Sequence, residues 1–283
     1  MTKGVLGLIV CPMVDDNLVY NFQHDPEPKR VVIVDNRNAR SIKAKLDQIG
    51  QQYELVPWDD IVSRNQTLND GGFTVLIYMI DLGLHSKPDE LKAKVEDLTF
   101  EMQPFVDSIG YYLGTCGNYD WNIPEWCESK GLKPSAMFVD KDGCLCHDCV
   151  GINIAGGPKY NELQHTYMGH LYVFPAMATN FDDFMDADQA KTAATMASIT
   201  DEMREELGIE PGKDGYLRWL LGLGGYEYIL RIDTGLGNKD DFDRDIQKVA
   251  ERTRLKIRQS DDYWPDLGPT IAIYEKCKSF LEQ

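Results

Sequence analysis

A mostly parallel, doubly wound α/β sheet with helices on both faces is the fold this 283-residue sequence predicts. Three observations predict it. Short apolar runs rich in Val and Ile recur from the first ten residues onward. Between them lie stretches whose apolar residues repeat at helical spacing. Single helices between strands demand right-handed crossovers, which give parallel pairing. The expectation is a Rossmann-like sheet within one continuous domain over residues 1–283, extended by a mainly helical part from about residue 181.

Strands are expected at residues 5–10, 30–34, 53–57, 74–80, 108–113, 136–139 and 171–174, with a later one at 228–232. Amphipathic helices are expected at 39–49, 89–105, 119–129 and 150–163. Ser86-Lys87-Pro88-Asp89 supplies a hydroxyl, a first-turn proline and acids at the start of the second of these. A long helix is expected over 182–207, then a glycine-rich turn at 221–225, a solvated helix over 240–259 and a final helix over 271–281.

With 43% apolar and 27% charged residues, composition excludes disordered and fibrous classes. No apolar run approaches the roughly 20 residues that a bilayer span needs. Net charge is −17, from 29 Lys+Arg against 46 Asp+Glu, which disfavours nucleic acid and anionic membrane as partners. A small-molecule substrate, a cationic partner and a homo-oligomer all stay compatible with it. The N-terminal segment lacks the pattern of a secretory signal, so the seven cysteines are expected in a reducing, cytoplasmic setting. There they bind metal, react, or pack.

The densest chemistry lies in Gly143-Cys144-Leu145-Cys146-His147-Asp148-Cys149. Thiolates and imidazole are ligands for zinc and for iron–sulfur clusters, and both Cys-x-Cys and Cys-x2-Cys spacings let two sulfurs reach one ion. Asp148 would orient a ligand or act as a base. The alternative is a packing turn in which the cysteines are small apolar groups.

A second candidate is Gly114-Thr115-Cys116-Gly117-Asn118, which follows an apolar strand and precedes a helix. A helix N-terminus there would lower the Cys116 thiol pKa. Cys11 ends the first strand. Cys11, Cys116 and Cys149 all fall at or just past strand carboxyl ends, where doubly wound sheets collect ligands. With His147, they would make a four-donor site. Cys127 and Cys277 lie on helices and are expected to pack. His165 and His170 are expected in surface or capping roles. P-loop, dinucleotide, serine-hydrolase and HExxH signatures are lacking.

Taken together, Cys11, the turn Gly114, Cys116, Gly117, Asn118, the turn His147, Asp148, Cys149, and downstream Gly156 and Tyr160 resemble a domain-of-unknown-function family. That family occurs in methanogenic archaea and strict anaerobes, often encoded beside corrinoid-dependent methyltransferases. The resemblance spans about residues 5–235. It implies a protein of anaerobic one-carbon or methylamine metabolism with a corrinoid protein or methyltransferase as partner. It supplies no mechanism. Cys144 and Cys146 are thiols beyond the family pattern, so the dispersed trio and the local cluster both stay open as ligand set.

The leading expectation is therefore a zinc-thiolate enzyme or accessory factor of corrinoid-linked methyl transfer, its metal held by Cys11, Cys116, Cys149 and either His147 or a further thiol. The rivals are an iron–sulfur redox or sensor protein using the same cysteines, and a non-catalytic acidic module docking on a methyltransferase.

Overall fold

A computed structural model describes residues 1–64, 67–118, 121–185, 197–260 and 266–282. They fall into two compact units, Met1–Tyr160 with Asp266–Gln283, and Asn161–Pro265.

The first unit is built on a six-stranded, all-parallel sheet of order β3-β2-β4-β1-β5-β6, with β1 Gly4–Val10, β2 Arg30–Val34, β3 Glu54–Val56, β4 Phe73–Met79, β5 Ser108–Tyr112 and β6 Ser135–Met137. All seven residues of β1 are buried, which is why it reads as one apolar run rather than an alternating one. Its side chains divide between two layers. Leu6, Leu8 and Val10 join α1 (Asp15–His24), α2 (Arg40–Gln48) and the final helix. Val5 and Ile9 join α3 (Trp58–Val62), α4 (Pro88–Met102) and α5 (Ile123–Ser129). Gly7 is required here, because a Cβ would lie 2.8 Å from Val106 Cγ1.

The chain leaves β1 toward the α1 face and leaves β4 toward the α4 face, while β1 and β4 are neighbours. That reversal makes the carboxyl end of β1 a topological switch point, the place where such sheets bind ligands.

Two short helices follow β6. The helix expected over 150–163 is broken into α6 (Cys149–Asn153) and α7 (Gly157–Thr166), because Ala155 and Gly156 adopt φ values of 64° and 111°. A Cβ on Gly156 would lie 2.6 Å from Asp140 Cβ, so the break is also a close approach.

The second unit has its own parallel sheet, β7 (His170–Val173), β8 (Tyr228–Arg231) and β9 (Lys256–Gln259), with α8 (Pro175–Thr179), α9 (Asp201–Glu206), α10 (Gly215–Leu223) and α11 (Lys239–Thr253). Helices predominate among the described residues beyond 181, as expected, and the addition to that expectation is the small sheet that β8 and β9 form with β7. Strand β9 replaces the end of the helix expected over 240–259, since Arg254 turns left-handed at φ 59° and stops α11. Helix α10 extends into the residues expected to be a glycine-rich turn. The middle of the helix expected over 182–207, residues 186–196, lies outside the described residues. The final helix, α12 (Gly268–Ser279), belongs to the first unit and packs on α1 and β5.

Candidate functional site

Three loops at the carboxyl edge of the first unit's sheet build the site. The first follows β1. Cys11 is extended, and its amide donates to the Tyr112 carbonyl at 2.8 Å, continuing the ladder one residue past the strand. Its carbonyl accepts from Val14 at 3.0 Å and starts a single 3₁₀ turn, Pro12–Val14. Half-buried, Cys11 packs against both apolar layers, which fixes it at the sheet's edge.

The second loop follows β5. Cys116 has φ 43°, a left-handed conformation that non-glycine residues seldom adopt. Its amide donates to the His147 carbonyl at 3.0 Å. A Cβ on Gly114 would come within 2.6 Å of both His147 O and Asp148 Cα, so only glycine lets the two loops touch. Asn118 Nδ2 donates to the carbonyls of Pro88 and Thr115, at 2.9 and 3.1 Å, and holds the turn shut.

The third loop follows β6. Asp140 Oδ1 accepts from the amides of Asp142 and Cys144, both at 2.9 Å, and the Cys146 amide donates to Phe138 O at 3.0 Å. This pairing splits the local thiol cluster. Cys144 is left in solvent, while Cys146 turns into the core beside α1 and is 1% exposed. The loop then reaches His147, whose Nδ1 lies 3.3 Å from Thr115 Oγ1. Asp148 caps α6, its Oδ1 accepting from the Gly151 amide at 2.7 Å. Cys149 is the first residue of α6. Asn153 Nδ2 donates to Cys149 O at 2.8 Å and to Met13 O at 3.3 Å, tying this loop to the one after β1.

Cys11, Cys116 and Cys149 are thus brought together from three separate loops: Cys149 feels both of the other thiols and Cys11 feels Cys116. Burial, then Cys116 and Asp15, push the Cys11 thiol far above its usual range. Burial, then the Cys11 and Cys116 thiols and Asp148, do the same to Cys149. Cys116 is pushed up to about 11 by burial and by Asp148. The expected lowering of the Cys116 pKa is corrected. The following helix does not begin until Ile123, so its dipole is too distant, and desolvation prevails. Cys146 is pushed up to about 12 by burial, with Asp140 and Asp148 adding to it.

Among the described residues, no group of three or more His, Cys, Asp or Glu side chains stands closed around a point where an ion would sit. The thiols share an edge of the sheet without forming a finished cage.

One partner of the site is not singled out by the sequence. Asp15, fully buried, accepts from Ser41 Oγ at 2.5 Å and from Lys45 Nζ at 2.6 Å, and Lys45 pairs with Asp16 at 2.7 Å. The available signal was the acidic pair Asp15-Asp16 directly after a strand-end turn, which marks a helix N-terminus. Cys127 and Cys277 are buried and pack as expected, Cys127 Sγ lying 3.2 Å from Tyr111 Oη. Of the histidines, His165 lies in the last turn of α7, as a surface role requires. His170 is instead buried at the start of β7, stacked on Tyr228 with 5.1 Å between ring centroids.

Residues 79–263 match the model of a family described as "Protein of unknown function (DUF1638)". The chain belongs to that family. The DUF1638 match contains Cys116, Cys144, Cys146, His147, Asp148 and Cys149 and leaves Cys11 outside it. It begins later and ends later than the resemblance read from the sequence. No curated protein and no solved structure matches the chain. No helix among the described residues is long and apolar enough to cross a membrane.

Proposed function

We propose that this DUF1638 protein is a metal-thiolate protein with zinc held by Cys11, Cys116 and Cys149, the fourth donor coming from His147 or a substrate. The observation that carries the reading is the convergence of three thiols, from loops far apart in sequence, on the carboxyl edge of a parallel sheet. The donors suit a soft cation in kind. As thiolates they would be desolvated and would repel one another, and a cation among them removes both costs. Zinc held by such donors supplies a Lewis-acidic position at which a bound thiol loses its proton.

The chain's own residues divide the remaining work. Asp148 keeps its place as cap of α6 and acts electrostatically on Cys116 and Cys149, so it is the group assigned to orient a donor or take up a proton. Thr115 positions the His147 ring through its hydroxyl. Gly114 and the left-handed Cys116 hold two loops in register before any ligand arrives.

A role as enzyme or accessory factor of corrinoid-linked methyl transfer in anaerobic one-carbon metabolism, in the cytoplasm, rests on the family resemblance and on the free thiols. Anaerobic purification with elemental analysis and a visible spectrum tests the metal. One equivalent of zinc in a colourless protein is the expected result. Iron with acid-labile sulfide and a brown colour would replace zinc by an iron–sulfur cluster on the same cysteines. Metal-free protein that still binds a methyltransferase after alanine replaces all three thiols would leave only a docking module.

A further inference from the structure

The six-stranded sheet ends at β6, and a cavity of about 780 Å³ runs along that edge. The Pro134 carbonyl accepts from the Ile109 amide at 3.0 Å, facing β5. Backbone direction alternates along a strand, so the N–H and C=O groups of Ser135 and Met137 point away from the sheet into the cavity. Helices flank this edge on both sides, because Met137 packs in the α5 layer and Ala136 in the α12 layer.

Its two walls differ in chemistry. On the α5 side stand Glu125 and Glu128, both exposed, while Lys133, in the segment between α5 and β6, also lines the cavity. On the α12 side stand Ile273 and Phe280, with the Lys276 ammonium held over the Phe280 ring at 5.0 Å. On the cavity floor the Ser135 hydroxyl is buried without a hydrogen-bond partner. An unpaired strand edge beside apolar walls is a template for strand addition, and the side chains of an added strand alternate between the two faces. A second copy of this chain, at net charge −17, is a poor occupant beside two glutamates.

We propose that this slot is a peptide-binding site that takes an extended segment as a seventh strand on β6, with basic side chains toward Glu125 and Glu128 and apolar side chains toward Ile273 and Phe280.

The test uses the whole chain and an acetylated, amidated hexapeptide in which lysine and valine alternate, with fluorescence anisotropy as readout. A second hexapeptide carries three lysines followed by three valines, so its charge is the same and its alternation is lost. The alternating peptide binds at least tenfold more tightly than the blocked one, and Glu125→Lys with Glu128→Lys weakens it at least tenfold. Bound peptide slows amide hydrogen exchange at Ser135 and Met137. Equal affinity for the two peptides overturns the proposal, as does protection that spares β6. So does a dimer whose formation protects the β6 amides in the absence of peptide.

Discussion

The Cys116 amide donates to the His147 carbonyl at 3.0 Å and, with the Thr115 hydroxyl beside the His147 ring, joins the loop after β5 to the loop after β6. Gly114 is what permits it, since any Cβ there would sit 2.6 Å from the same carbonyl oxygen. Gly114→Ala should therefore push the loops apart. The expected cost is about 1–3 kcal/mol of stability, the range for overpacking a close contact, together with a loss of zinc affinity. Thermal unfolding and a zinc competition titration check both, and an unchanged affinity would show that the loop contact does not set the site.

Cys116→Ser and Cys149→Ser should each abolish stoichiometric metal binding, while Cys277→Ser leaves it intact. Cys277 is buried on α12 and packs against Gly110 within β5. Elemental analysis of the anaerobically purified variants decides this. Full metal content in either of the first two would remove that residue from the site.

The two extra thiols should separate from the trio in opposite ways. Cys144→Ser, at a solvent-exposed turn, should change neither stability nor metal content. Cys146→Ser puts a hydroxyl where 1% exposure leaves it little access to water, and should cost roughly 1–3 kcal/mol with metal content unchanged. Denaturant unfolding separates the two, and loss of metal from the Cys144 variant would return the local cluster to contention.

Asp15 has a carboxyl raised to about 6, because burial outweighs the attraction of Lys45. The unfolded chain releases this proton near pH 4, so the native state holds it more tightly. Its contribution is full below about pH 4 and is lost as pH rises through 6, by up to about 3 kcal/mol at 1.36 kcal/mol per pH unit. Asp15→Asn should flatten the fall in stability between pH 4 and 7. A variant with the wild-type slope would place that titration elsewhere.

Much of the first unit was legible because its strands are continuous apolar runs. Residues 30–34 form β2 with the expected bounds, and the other five strands of the sheet shift by a residue or two. Helix α1 was hidden because Asp15, Asp16 and Asn17 are buried polar residues on a helix whose apolar face they interrupt. Strand β9, Lys-Ile-Arg-Gln, is polar and mostly exposed, so only its pairing with β8 makes it a strand. Strands β7 and β8 were visible singly, but nothing local announces that they form a separate sheet.

The same division holds at the site. The turn residues Gly114, Cys116 and Cys149 were legible from their spacing behind strands, and parallel topology brings such loops to one edge. The separation of Cys144 from Cys146 was not, since it depends on how Asp140 folds the loop back on Phe138. The raised thiols were not legible either, because desolvation is set by packing rather than by neighbours in sequence.

X-ray absorption at the zinc edge of the anaerobically purified full chain tests the central claim most directly. Three sulfurs at about 2.3 Å from one zinc, lost in the Cys11→Ser, Cys116→Ser, Cys149→Ser triple variant, are the predicted result. A zinc shell of nitrogen and oxygen alone, or a sulfur shell that survives in the triple variant, would contradict it.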